Sequence, residues 1–482
     1  MRTQPAPLAV EERLADHDIK QAVERLFKLK KGVQANLLEV ACREGIVELT
    51  GLTDSLLSRQ RAEDLAKAVR GVRGVINEIS VHTADLPNAE LLCRVEIALM
   101  QDPATRGYKV CCHTHDGQVT VEGTLQSWAE EQLVLQVLKG VPGVRQLNNR
   151  LTVRGASLPK SDQDITALIQ ELLEWDIRVK SDLVHVRTTK GEVHLSGTVG
   201  TAAEHDQAVA TAYVAGATRV DATELQVASW ALDKELRSEK NQPKADADVA
   251  QAILDALRFD PRVDEQPLEV HVHNGVATLL GTIGNLRARD AAGQDAANVV
   301  GVGTVHNLLQ VQHLHPSPDS IIQEHAQAAL AHDAYLGRYA FTLAVKEGKV
   351  ELYGTVGSHY EQERAAEVVA GVNHVAEVVN HVVLYDAENE VPESPLPSDT
   401  VVTAPESLGH LEPDDVLKDR IRTHFYWSAQ LHDQDISVSV HDGRVTLTGT
   451  VDSALERRQA AAEAHACGAV EVNNHLNVRP AA

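Results

Sequence analysis

Two pairs of histidines have a spacing that could hold a metal ion. His113 and His115, and likewise His271 and His273, are two positions apart in alternating sequences typical of a β-strand, so both imidazoles of a pair would share one face. No carboxylate or cysteine near either pair offers a clear third ligand. The pattern therefore favours a solvated strand face, and the sequence predicts neither a bound metal nor a cofactor.

The five cysteines are odd in number and form no CxxC pair, which is typical of a reducing compartment. The first residues lack the apolar segment of a secretory signal, and no stretch approaches the roughly 20 apolar residues of a membrane span. The sequence therefore predicts a soluble cytoplasmic protein, at most peripheral to a membrane. A periplasmic location is expected only if an upstream signal is missing.

Pairs of glycines six positions apart occur six times and could suggest a phosphate-binding loop. No G-x-x-x-x-G-K-[ST] motif accompanies them, and each pair brackets a run that alternates as a strand does. We therefore predict structural hairpin glycines, with turns at dipeptides such as Asp116-Gly117 and Asn274-Gly275. The pairs are Gly45 and Gly51, Gly117 and Gly123, Gly191 and Gly197, Gly275 and Gly281, Gly348 and Gly354, and Gly443 and Gly449.

A helical pattern lies on each side of every hairpin. Before the first hairpin, Ile19, Val23 and Leu26 are three and four residues apart, and after the last one Ser453 has the spacing of a helix-capping residue. A final strand follows the second helix. The predicted fold is α+β: a tandem array of six small α-β-β-α-β domains, each a three-stranded mixed sheet with two helices on one face.

We place the domains by these repeated signals. A charged linker is predicted at 229–245 and an acidic, proline-rich linker at 386–412; the second is expected to be extended and flexible and to isolate the sixth domain from the first five. The six domains are 16–82, 87–154, 161–228, 246–312, 317–385 and 413–479.

The repeated unit resembles the BON domain (bacterial OsmY and nodulation) family. The last copy carries the family pattern most fully, as DGRVTLTGTVDSALERRQAAAEAHACGAVEVNNHLNV. Two departures stand out: Thr223 replaces the closing asparagine of the third copy, and His374 replaces the closing glycine of the fifth.

This resemblance implies a non-enzymatic protein of osmotic or envelope stress tolerance that makes weak, multivalent contacts with phospholipid surfaces. The net charge of −24 argues against nucleic acid as the main partner. A protein-interaction or chaperone-like scaffold, and a potassium- or cation-sensing protein, are the alternatives. The oligomeric state is left open. Candidate lipid contacts are Lys28, Lys30, Lys31 and Trp128.

Overall fold

Within the residues described by the computed structural model, the order α-β-β-α-β occurs six times, and we number these units 1 to 6 along the chain. The predicted α+β array of six small domains is confirmed. The described residues are 14–30, 33, 35–83, 85–154, 161–232, 240, 244–263, 268–311, 317–384 and 413–479.

Each unit begins with a helix of 14 residues that buries one apolar stripe. In unit 3 the stripe consists of Ile165, Ile169 and Leu173, which are four residues apart and therefore lie on one side of the helix. The first helices are Asp16–Leu29, Asn88–Gln101, Asp162–Trp175, Asp246–Phe259, Asp319–His332 and Asp414–Trp427.

An antiparallel hairpin follows each first helix. Both residues of its two-residue turn have positive φ, for example 50° at Asn274 and 75° at Gly275, as in a type I′ turn. The first strands are Leu38–Arg43, Val110–His115, Val184–Thr189, Glu269–His273, Phe341–Lys346 and Asp435–His441. The second strands are Ile46–Thr53, Gln118–Leu125, Glu192–Val199, Val276–Leu280 (with Thr282–Ile283), Lys349–Val356 and Arg444–Val451.

A second helix then carries the chain to a last strand that pairs in parallel with the second strand. Ser453 caps the helix as predicted: its side chain accepts a hydrogen bond from the N–H of Glu456, and the Glu456 carboxylate accepts one from the N–H of Ser453. The second helices are Leu56–Lys67, Trp128–Lys139, Ala202–Val214, Leu286–Ala297, His359–Ala370 and Ala454–Ala466. The last strands are Gly74–Asn77 (with Ser80–Val81), Gln146–Val153, Arg219–Val227, Thr304–Asn307 (with Gln310–Val311), Glu377–Leu384 and Glu471–Val478.

Every unit has a mainly aliphatic core between its sheet and its two helices. In unit 1, Val47 and Leu49 of the second strand are completely buried against Val23 of the first helix and Ala62 of the second. Alternate residues of the same strands point the other way and are more exposed. Each sheet therefore has one buried face and one outer face.

The units pack on one another through their helices. The second helices of units 1, 2 and 3 contact one another, and the second helix of unit 5 contacts those of units 4 and 6. Across these two groups, unit 1 joins unit 6: the N–H of Arg70 donates to the carbonyl of Trp427 at 2.9 Å, and that of Ala429 to the carbonyl of Ala68 at 3.2 Å.

Unit 6 is therefore not isolated, contrary to the expectation from its linker. Trp427 packs against the core of unit 1, and Leu29 packs against the core of unit 6. A long linker adds little closure entropy, so a packed interface can hold the units together whatever the linker composition. The linker itself, 386–412, lies outside the described residues.

The segment predicted as a charged linker at 229–245 begins as a structured part of unit 3. A 3₁₀ helix runs over Ser229–Leu232, and its Ala231 and Leu232 are buried. Composition alone indicates a solvated segment, but the apolar residues at its start pack beside the sheet. Short 3₁₀ helices also precede the hairpins of units 1 and 3, at Ala35–Leu37 and Ser181–Leu183.

Candidate functional site

The twelve predicted glycines all lie at the hairpins. The first glycine of each pair has φ between 71° and 78°. Among the second glycines, Gly51 has φ of 118°, and a Cβ there would lie 2.1 Å from the carbonyl oxygen of Leu37. Gly123 and Gly354 do not have positive φ; a Cβ on Gly123 would still lie 2.8 Å from the carbonyl of Lys109. The first glycines therefore allow the backbone turn, and the second glycines allow close packing against the neighbouring strand.

The first residue of each first helix caps the hairpin turn of its own unit. In unit 6 the carboxylate of Asp414 accepts hydrogen bonds from the N–H groups of Asp442 and Gly443, both at 3.0 Å. The Gly443 N–H, together with that of Asp442, lowers the pKa of Asp414. Sequence reasoning missed this contact, although an Asp or Asn stands 29 positions before every first hairpin glycine.

The same cap accounts for a group of potential metal ligands. Within the described residues, side-chain ligand atoms of Asp414, His441 and Asp442 lie within 4.8 Å of one another. The Asp414 oxygens already accept the two turn N–H groups, and His441 and Asp442 are exposed. The cluster therefore follows from the turn cap, and we assign no metal to it.

Histidines are common on the outer sheet faces. In unit 4, His271 pairs across the sheet with Thr278, and Thr278 pairs with His306, so two imidazoles lie in one row. Both sequence-predicted histidine pairs point to this outer side. Within the described strands, ten exposed histidines lie on outer faces: His113, His115, His185, His194, His271, His273, His306, His381, His441 and His475.

Other charges on the outer faces form ion pairs between neighbouring strands. Arg150 and Glu122 approach to 3.0 Å in unit 2, and Lys349 and Glu377 approach to the same distance in unit 5. Similar pairs, Arg219 with Glu192 and Arg444 with Glu471, lie at 3.4 Å. Each of these pairs joins a positive to a negative side chain and therefore adds no net charge to its outer face.

The predicted lipid contacts lie in different environments. Lys30 Nζ donates to Glu463 Oε1 of unit 6 at 2.6 Å, and the Trp128 ring stacks on Tyr213 of unit 3 with ring centroids 5.4 Å apart. Both side chains therefore make contacts between units, which counts against the lipid contacts predicted for Lys30 and Trp128. Lys28 is exposed, and Lys31 lies outside the described residues. Spacing along the chain could not reveal partners that belong to other units.

Glu463 is a buried carboxylate at the interface of units 1 and 6. Besides Lys30, it accepts a hydrogen bond from His424 Nε2 at 2.5 Å, since an ionised carboxylate has no proton to donate. Burial by itself raises the pKa of Glu463, but the hydrogen bond from His424 and the charge of Lys30 outweigh it and lower the pKa to about 2.

Lys240 places an ammonium group among backbone carbonyl oxygens of unit 3. Its Nζ donates to the carbonyl of Leu173 at 2.8 Å, to that of Asp176 at 2.5 Å, and also to that of Val179. Burial lowers the pKa of Lys240 to about 8. The end of this first helix thus presents carbonyl oxygens arranged around a monovalent cation.

The family model of the BON domain matches the chain six times. The matches cover residues 15–83, 95–155, 161–229, 245–313, 318–384 and 413–480. The chain belongs to the BON domain family. Among the described BON residues, no helix has both the length and the apolar character needed to cross a membrane.

Comparison with known proteins gives one curated relative of this BON chain. It is the osmotically-inducible protein Y of Escherichia coli (strain K12), 31% identical over 128 residues, which are 26% of this chain and 64% of the relative. The chain thus spans somewhat less than two thirds of that relative's length.

The similar solved structures do not inform the arrangement of the six units. CdsD, a structural protein of the type III secretion system of Chlamydia trachomatis, is 15% identical, with 43% of this chain and 90% of that chain covered and a TM-score of 0.12. Its C-terminal domain alone gives 14% identity, 44% and 100% coverage and the same TM-score. At such TM-scores the likeness has no weight for the arrangement of the six BON units.

Proposed function

We propose that this chain is a non-enzymatic binding protein of osmotic-stress tolerance that adheres to phospholipid surfaces through the outer faces of its sheets. The observation that carries the proposal is the repeated architecture, in which each unit covers one sheet face with helices and leaves the other face open. Weak contacts made by several such faces at once add up to avidity. Similarity to a relative named as osmotically inducible supports the stress role.

The charge of the outer faces sets the condition for adhesion. A net charge of −24 opposes contact with anionic lipids at neutral pH. Imidazole is the side chain type that ordinarily gains a proton in mild acid, and the chain has 23 histidines, so its net charge is less negative there than at neutral pH. Adhesion to anionic vesicles is therefore expected to be stronger in mild acid than at neutral pH.

Three buried carboxylates with structural roles support a non-enzymatic function. Glu204 accepts the N–H of Gly200 at 2.9 Å, and Glu361 accepts hydrogen bonds from Arg338 and Tyr339 at 2.5 and 2.9 Å. Glu463 is held between two units by Lys30 and His424. Each of these groups is engaged in a cap or an ion pair, and none is left as a general acid or base beside an open nucleophile.

Vesicle flotation of the full chain tests the proposal. Vesicles of phosphatidylglycerol and phosphatidylcholine, and vesicles of phosphatidylcholine alone, are compared at about pH 5.5 and pH 7.5. We expect binding to the anionic vesicles in acid, weakened by salt because exposed charges are screened. No flotation with any composition at either pH would overturn the lipid proposal.

The assignment to the outer faces has its own control. Replacement of His113, His115, His271, His273 and His306 by Gln is expected to reduce flotation, because these side chains lie on the faces proposed to meet the lipid. His17→Gln removes an exposed histidine from a helix and is expected to leave flotation unchanged. Equal flotation of both variants would place the lipid contact elsewhere on the chain. Capture of the same protein partners with and without lipid would instead favour the scaffold.

A second candidate function, cation binding, is favoured by Lys240. Its ammonium occupies a group of backbone carbonyl oxygens, the ligand type that also suits a monovalent metal cation. In units without a lysine at this place, the corresponding helix ends could hold potassium. A higher Tm in potassium chloride than in sodium chloride at equal ionic strength would support this function, and equal values would contradict it.

The cytoplasmic location predicted from the sequence is part of the proposal. Osmotic-shock fractionation of cells that produce the full-length protein measures it. Release with the periplasmic fraction would overturn the cytoplasmic location. The lipid proposal would still stand, because the inner membrane presents phospholipid on its cytoplasmic and its periplasmic side.

A further inference from the structure

Two pairs of units are joined in the same way. The last residue of the first helix of unit 3, Trp175, packs against the core of unit 4, and Trp427 of unit 6 packs against the core of unit 1. A backbone hydrogen bond accompanies each tryptophan. The N–H of Val300 donates to the carbonyl of Trp175 at 2.9 Å, and the N–H of Arg70 donates to that of Trp427. We call this combination of a packed tryptophan and a backbone hydrogen bond the joint between two units. Units 2 and 5 are the remaining pair.

Units 2 and 5 lack the residues that make this joint. Their first helices end with Gln101 and His332 in place of tryptophan. The position in unit 2 that corresponds to Arg70 and Val300 is Pro142, which has no N–H to donate. The backbone hydrogen bond of the other pairs therefore cannot form from unit 2.

A cavity of about 430 Å³ lies where the joint would be. Its apolar lining comes from both units and includes Ile97, Val137 and Val141 of unit 2 and Val368 and Val372 of unit 5. Ala98 lines the cavity at a helix position where unit 3 has Leu172 and unit 1 has Leu26, so unit 2 places a smaller side chain there than those two units do. The volume is in the range of about 300–1,000 Å³ found for ligand pockets.

The charged residues of the cavity lining pair with one another, so an incoming polar group meets the side chains that can still donate hydrogen bonds. Arg287 of unit 4 pairs with Asp102 at 2.5 Å. Arg364 pairs with both Asp333 at 3.0 Å and Glu367 at 2.9 Å, so the lining carboxylates already have cationic partners. Donor-bearing side chains remain along the lining: Gln101, Gln136, His325, His332 and Arg94, of which Arg94 uses one of its five N–H groups on Glu90.

We propose that the cavity between units 2 and 5 binds an amphipathic carboxylic acid, an apolar chain that ends in one carboxylate. The chain would lie against the valine and isoleucine walls, and the carboxylate would accept hydrogen bonds from the arginine, histidine and amide side chains. Burial of a hydrocarbon chain supplies most of the affinity, and the charged end fixes its orientation. This site is separate from the outer sheet faces, so its test does not depend on the proposed lipid adhesion.

Calorimetric titration of the full chain with dodecanoate, below its micelle concentration, tests the site. We expect saturable binding of one molecule per chain. 1-Dodecanol has the same hydrocarbon chain without the carboxylate and is expected to bind at least about tenfold more weakly. No saturable binding of dodecanoate, or equal binding of the alcohol, would overturn the proposal.

Filling the cavity locates the site. The double variant Gln101→Trp, His332→Phe reproduces the helix ends of units 3 and 4, Trp175 and Phe259, and is expected to reduce dodecanoate affinity at least about tenfold. Ala98→Leu is a milder filling, in case the double variant does not fold. His17→Phe is the matched control outside the cavity and should bind as the unchanged chain does. Undiminished binding by a folded, filled variant would exclude this cavity.

Discussion

The carboxylate of Asp162 accepts hydrogen bonds from the backbone N–H groups of Lys190 and Gly191, at 2.7 and 2.8 Å. This contact fixes the start of the first helix of unit 3 to its hairpin turn. The turn has positive φ at both residues and exposes N–H groups that no strand partner accepts. Equivalent contacts occur in the other units, with Asn88 Oδ1 accepting from the N–H of Asp116 in unit 2.

Replacing Asp162 by Ala is expected to destabilise the hairpin of unit 3 by about 1 kcal/mol, as loss of a side-chain cap usually does. Asp162→Asn should lose much less, because unit 2 uses an asparagine at this place. Native-state hydrogen exchange of the Lys190 and Gly191 amides measures the effect. Equal protection in the Ala and Asn variants would show that the cap does not stabilise the turn.

The buried carboxylate of Glu463 is expected to make the joint between units 1 and 6 sensitive to acid. Its pKa, about 2 in the folded chain against an ordinary value of 4.5, means that ionised Glu463 stabilises the fold above about pH 4.5. Its contribution to the free energy of unfolding, up to about 3 kcal/mol, is lost as the pH falls from about 4.5 towards 2.

Glu463→Gln tests this pH dependence. At about pH 7 the variant should have a lower Tm than the unchanged chain, because Lys30 and His424 lose their shared partner. Between about pH 5 and 3 its Tm should fall less steeply, since the titrating group is gone. Parallel Tm profiles for the two proteins would contradict the assignment to Glu463.

Lys240→Met is expected to destabilise unit 3 and to make it respond to potassium. The substitution leaves the carbonyl oxygens of Leu173, Asp176 and Val179 without their ammonium partner. Potassium chloride should restore part of the lost Tm, and choline chloride, whose cation is too large, should not. Lys20→Met, on an exposed helix surface with Glu24 as its ion-pair partner, is the matched control. Equal melting of Lys240→Met in both salts would exclude cation binding there.

His374→Gly is expected to stabilise unit 5. His374 has φ of 69° at the place where units 1, 2, 3, 4 and 6 have glycines with φ between 88° and 110°. A left-handed conformation costs a residue with a Cβ about 1 kcal/mol, so glycine should raise the Tm slightly. The reverse change, Gly301→His, should lower the Tm, because its Cβ would lie 3.1 Å from Val249 Cγ2. A lower Tm for His374→Gly would show that the contacts of His374 outweigh its backbone strain.

The sequence by itself determined the unit. Alternating apolar residues, turn dipeptides and capping residues are local signals, and each acts through neighbours within one hairpin or helix turn, so the α-β-β-α-β order could be predicted. Even a departure from the pattern had a local consequence. Asn77 donates to the carbonyl of Arg59 at 3.0 Å and accepts the N–H of Ile79, whereas unit 3 has Thr223 at this place and its last strand shifts register between Asp221 and Glu224.

Only the tertiary structure decided how the units meet. Lys30 pairs with Glu463, Trp128 stacks on Tyr213, and Lys240 donates to carbonyl oxygens at the end of a first helix. No periodic pattern in the sequence indicates contacts between residues so far apart in the chain. The apolar stripe of a helix indicates which face is buried in its own unit, but the opposite face can pack on any unit of matching shape. Gln101, Pro142 and His332 all line the cavity between units 2 and 5, and only the packing of units that are distant in sequence brings them to one place.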